Sequence, residues 1–72
     1  MRVKPLSRKD GEHYLSTWES SRFGECEPPE PGKYVYADAE GHHVAIDNAD
    51  GDCWVEVFGD LRGAMEYLGA EK

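Results

Sequence analysis

The chain predicts an α+β fold: an N-terminal helix, then an antiparallel three-stranded β-meander packed on a C-terminal helix, in the order α-β-β-β-α. Three observations predict it. Glu40-Gly41 and Asp50-Gly51 are tight-turn signals separating three apolar-rich runs. Leu61, Ala64, Met65 and Leu68 recur at helical spacing near the C-terminus. Tyr14, Leu15 and Trp18 share one helical face nearer the N-terminus.

The first helix is expected over residues 7–22, with Ser7 or Asp10 as its N-cap and Gly11 as its weak point. Residues 25–32 contain Pro28, Pro29 and Pro31. Pyrrolidine rings fix φ and remove N–H donors, so this stretch reads as an extended linker. It divides a basic arm (1–24) from a body (33–72) within a single domain.

The body's turns set its register. A two-residue turn at Asp50-Gly51 places Ile46 opposite Val55 and Val44 opposite Val57. A two-residue turn at Glu40-Gly41 places Val35 opposite Ile46 and Ala37 opposite Val44. Together the two turns collect the β-branched side chains on one face, the expected floor of the last helix. Asp60 is placed to cap that helix and Gly69 to end it. At about eight residues it needs the sheet for stability.

The same register predicts the composition of the other face. Its cross-strand rows are Tyr34, Asp47 and Trp54; then Tyr36, Ala45 and Glu56; then Asp38, His43 and Phe58. Aromatics mixed with carboxylates suit neither a dry core nor a plain solvated surface. Either the first helix lays Leu15 and Trp18 there, with its basic side chains answering Asp47 or Glu56, or the face docks another chain. In the second case Tyr34, Tyr36, Asp38, His43, Asp47, Trp54, Glu56 and Phe58 are the candidate partner-binding residues.

Charge narrows the partner. The chain has 72 residues and a net charge of −7. Residues 1–24 carry five basic and three acidic side chains, whereas residues 25–72 carry three basic and twelve acidic. Direct nucleic-acid binding is not expected of so acidic a body. No apolar run approaches the roughly 20 residues of a membrane span. No apolar stretch follows the basic first residues, so no signal peptide is expected. With only Cys26 and Cys53, the expected compartment is reducing and cytoplasmic. A Cys26–Cys53 disulfide is the alternative to two free thiols.

Motifs for chemistry are weak. Asp47–Asp52 superficially suggests a calcium loop, but aligning Gly51 with the required glycine puts Ile46 and Val57 where carboxylates belong. His42 and His43 alternate along a strand and so point to opposite faces. His13, Cys26 and Cys53 lack the short spacing of structural zinc ligands. In the predicted register Asp38 opposes His43 as a base-orienting pair would, but no nucleophile adjoins them. No enzymatic activity, metal or other cofactor is expected.

The β-β-β-α body resembles, in architecture alone, small double-stranded-RNA-binding and integrase arm-type domains. Asp38, Asp47 and Glu56 depart from those families on the face that would meet phosphates. The expected function is a small non-enzymatic protein-interaction domain whose partner is another protein or a second copy. An inhibitor imitating nucleic acid, of the phage or mobile-element anti-defence type, is the alternative, since carboxylates can stand in for phosphates against a basic target. An accessory domain of unknown role, normally fused to something larger, is the third reading.

Overall fold

The computed structural model describes residues 2–69; Met1 and residues 70–72 lie outside the described residues. Six elements follow in order: β1 (Val3–Pro5), α1 (Arg8–Arg22), β2 (Gly32–Ala37), β3 (His43–Asn48), β4 (Trp54–Phe58) and α2 (Leu61–Tyr67). The α-β-β-β-α order is present, preceded by a short strand that sequence reading missed. The sheet runs β1-β2-β3-β4, with β1 parallel to β2 and the other pairs antiparallel. A parallel pair needs a long crossover, and α1 supplies it.

Local signals explain both helices. Ser7, not Asp10, caps α1: its Oγ accepts the Asp10 N–H at 3.1 Å. Asp60 caps α2 by accepting the Gly63 N–H at 2.8 Å. Gly69, at φ +72°, takes the left-handed conformation just past the end of α2. Lys33 Nζ donates to the Leu68 carbonyl at 2.6 Å, placing a cation at the negative end of the helix.

The β3–β4 register is the predicted one, with Val44 opposite Val57 and Ile46 opposite Val55. Its turn is looser than expected. The ladder stops at Asp47–Trp54, and only Gly51 takes positive φ there, so Asp50 does not form the primed turn. The β2–β3 register differs by one residue: Tyr34, not Val35, faces Ile46, and Tyr36, not Ala37, faces Val44. Asp38 is the physical cause. Its Oδ1 accepts the N–H groups of Glu40 and His42, each at 2.9 Å, while its own N–H donates to the His42 carbonyl at 2.8 Å. These bonds close a wider loop than a two-residue turn.

A slip of one residue exchanges the two faces of β2. Tyr34 and Tyr36 join Val44 and Ile46 in one buried cluster, against which Leu6, Tyr14 and Leu15 pack. Val35 and Ala45 form the other with Ala64 and Leu68, flanked by Val3, Phe58 and Met65. So α1 covers the tyrosine face and α2 covers the Val35–Ala45 face: Val35 lies in the floor of α2 as predicted, whereas Val44 and Ile46, with Val55 and Val57 opposite them, fall on the other side. The expectation that α1 lies over Asp47 and Glu56 is likewise corrected. No ion pair among the described residues joins the arm to the body.

A polar network pins the linker to the tyrosine face. The Tyr14 hydroxyl donates to the Glu30 carbonyl at 2.6 Å and accepts from Asn48 Nδ2 at 2.9 Å. The Tyr34 hydroxyl reaches the same carbonyl at 3.0 Å. The Tyr14 and Tyr34 rings stand 4.5 Å apart. Burial, above all, raises Tyr14 from the ordinary 10.0 to about 12, with Tyr34 adding to the rise and the Asn48 bond opposing it. A raised phenol favours the fold while the unfolded chain stays protonated. This stabilisation is complete below pH 10 and is lost as pH rises from 10 to about 12. Urea titrations at pH 8, 10 and 11.5 are therefore expected to show falling midpoints, with a shallower fall in Tyr14→Phe. That variant also strands Asn48 Nδ2, at a cost of about 1–3 kcal/mol at pH 8.

Candidate interaction surface

The register disperses the eight candidate residues. Tyr34 and Tyr36 are buried beneath α1. Asp47, Trp54, Glu56, Phe58 and His43 lie on the α2 side of the sheet, and Asp38 lies in the β2–β3 turn. Phe58 is engaged by α2, its ring 5.4 Å from that of Tyr67. His43 stands between Ala37 and Phe58, not opposite Asp38. The residues brought together and still exposed are Trp54 and Glu56, both on β4.

β4 also presents two residues that sequence reading assigned to the core. Val55 is 43% exposed and Val57 56%, beside Trp54 at 60%. They share the tyrosine side with Val44 and Ile46, but α1 packs over β2 and leaves the outer strand open. Trp54 lines a concavity together with Asp52, Cys53 and Trp18 of α1. The alternation Trp54-Val55-Glu56-Val57-Phe58 was visible in the chain, but nothing local marks a strand as an edge.

The direction of the backbone follows from two hydrogen bonds. Leu6 N–H donates to the Val35 carbonyl at 2.9 Å, so the odd residues of β2 address β1. Asp38 N–H donates to the His42 carbonyl, so its even residues address β3. Backbone groups alternate along each antiparallel strand. His43, Ala45 and Asp47 therefore bond Phe58, Glu56 and Trp54, while Val55 and Val57 aim their N–H and C=O groups outward. No described strand pairs with that edge.

The two edges of the sheet differ sharply. β1 is three residues long, ends in Pro5 and carries Lys4, the devices that discourage strand addition. β4 has five residues, no proline and one charge, Glu56. Around it the chain is acidic. Partial burial, then Glu56 and Asp47, raise the Tyr67 phenol, which locates both carboxylates near α2. No ion pair among the described residues reaches Glu56 or Asp47; Glu66 is paired with Arg62 at 3.7 Å.

Other reactive groups serve local structure. Both cysteines are free. Burial, then Asp47, raises the Cys53 thiol and disfavours the thiolate that nucleophilic chemistry needs. Asp38, Glu40 and His42 converge at the β2–β3 turn, with His42 Nδ1 3.7 Å from Asp38 and 3.6 Å from Glu40. Burial opposes ionisation of Asp38, but the N–H groups of His42 and Glu40, followed by the His42 ring, outweigh it and hold the carboxyl below its usual range. The cluster thus shapes the turn that sets the register.

No protein-family profile, curated protein or solved structure matches this chain. No helix among the described residues is long and apolar enough to cross a membrane.

Proposed function

We propose that this protein is a small non-enzymatic interaction domain that receives a partner chain along β4. The observation that carries this reading is an unpaired edge strand with exposed Val55 and Val57 and outward main-chain donors and acceptors. Strand addition supplies affinity through main-chain hydrogen bonds and specificity through alternate side chains. Trp54, large and exposed at one end, suits an anchor.

The reading as a nucleic-acid mimic has less support. Asp38 and Glu40 sit at one end of the meander, Asp50 and Asp52 at the other, and Asp47 and Glu56 on the α2 side. A mimic needs its carboxylates in a continuous band.

Selection of random nine-residue peptides against the immobilised full chain tests the interaction reading. The expected result is a set of peptides whose affinity falls at least about tenfold with Val57→Lys, a loss of about 1.4 kcal/mol. No selected peptide, or peptides indifferent to both Val55→Lys and Val57→Lys, would overturn it.

A further inference from the structure

We infer that the chain received by β4 is a basic one: an extended segment in which apolar residues alternate with Lys or Arg. The inference rests on the edge reading above and adds the chemistry of the partner. A strand added beside β4 has one set of side chains over Val55 and Val57 and the other beside Trp54, Glu56 and Phe58. The first position asks for apolar side chains. The second asks for cations, because Glu56 is exposed and, like Asp47, has no ion-pair partner among the described residues.

The backbone phase sharpens the match. Val55 and Val57 carry the outward hydrogen-bonding groups, so Glu56 falls at a position that makes no main-chain bonds to the new strand. In an antiparallel arrangement such positions bring facing side chains closest, with Cβ atoms roughly 4.5–5.5 Å apart. A lysine or arginine opposite Glu56 therefore stands in easy reach of its carboxylate, with its aliphatic stem along Trp54.

A second copy fits less well. Two β4 strands related by a twofold axis keep like faces together. Centred on Glu56, the pair sets one glutamate against the other. Centred on Val55 or Val57, it sets Glu56 against Trp54 or Phe58. None of these registers supplies a cation, and each copy brings a charge of −7. Like charges directly opposite destabilise a sheet.

Three capped nonapeptides test the inference on the full chain by fluorescence anisotropy: one alternating valine and lysine, its valine–glutamate counterpart, and the valine–lysine peptide N-methylated on alternate amides. The lysine peptide is expected to bind at least about fivefold tighter than the glutamate peptide, because one sets an opposite charge and the other a like charge against Glu56. N-methylation in the phase that faces β4 should abolish binding, which general attraction to an acidic protein would survive. Glu56→Lys should erase the preference for lysine, while Glu27→Lys, the same charge change in the linker, should preserve it.

Equal binding of the lysine and glutamate peptides, still abolished by N-methylation, would overturn the basic partner and leave the edge reading intact. Binding of neither peptide, or binding insensitive to N-methylation, would overturn both. A wild-type dimer in sedimentation that Val57→Lys disperses would assign the edge to a second copy and overturn the basic partner.

Discussion

Replacing Gly11 with alanine is expected to destabilise the protein by about 2 kcal/mol, within the usual range for forcing extra volume into a packed site. In an exposed helix the same change would stabilise by roughly 1 kcal/mol, because alanine is the better helix former. The structure reverses the sign. Gly11 is buried, and a Cβ there would overlap Cδ2 and Cγ of Tyr36 and lie 2.8 Å from Cε2. The Tyr36 ring has little room to yield, since it is itself buried in the cluster with Tyr34, Val44 and Ile46. Helix α1 would have to lift from the sheet. Urea denaturation of Gly11→Ala, Tyr36→Ala and the double variant tests this. A coupling of at least about 1 kcal/mol should appear, because the penalty disappears once the ring is gone. A more stable Gly11→Ala would refute the close packing of α1 on β2.

The second large effect is a contrast between neighbours in the same sheet face. Ile46→Ala is expected to cost about 2–5 kcal/mol, since Ile46 is fully buried and leaves a cavity. A chain of this size has a total stability of about 4–11 kcal/mol, so the variant stands near unfolding. Val57→Lys, one strand away on the same side, is expected to cost less than about 1 kcal/mol, because its side chain already meets water. Urea midpoints at pH 7 decide it. A comparable loss in both variants would mean that Val57 is covered and that β4 is not an open edge. The small stability cost also makes Val57→Lys a clean probe of binding.

These effects show which features were legible in the chain. The Asp60 cap, the terminal Gly69 and the β3–β4 register follow from signals within a few residues of where they act, as does the start of α1, for which the chain offered Ser7 and Asp10 and the structure uses Ser7. The β2–β3 register did not follow. Tyr34, Val35 and Tyr36 are all buried, on alternating sides, so β2 is apolar on both faces and its pattern does not choose a register. The β-branched face that seemed to confirm the short turn was one of two acceptable solutions. Asp38 decided between them through backbone bonds that no hydrophobic pattern encodes. β1 was missed for a related reason: Val3–Pro5 is too short to show a period, and its partner is 30 residues away.

The candidate site changed with the register. Trp54 and Glu56 kept their exposed positions because the β3–β4 register held. Tyr34 and Tyr36 are covered by α1, one of the two outcomes expected for their face, and Val55 and Val57 emerged as the apolar part of the surface. Gly11 shows the same limit in miniature. It reads locally as a weak helical residue, and its role as the contact with Tyr36 exists only after α1 has docked.

The residues alone therefore specify both helices, the three meander strands, the acidic body and one of the two hairpin registers, since caps, turn glycines and periodicity act over a few bonds. Which face each helix covers, and which strand remains an open edge, depend on long-range packing. A two-sided apolar strand satisfies either register locally, so the choice is made where Asp38 closes the loop, Gly11 admits the Tyr36 ring and α1 settles over β2. That settlement covers the tyrosines, leaves Val55 and Val57 in water, and places the surface open to a partner at β4.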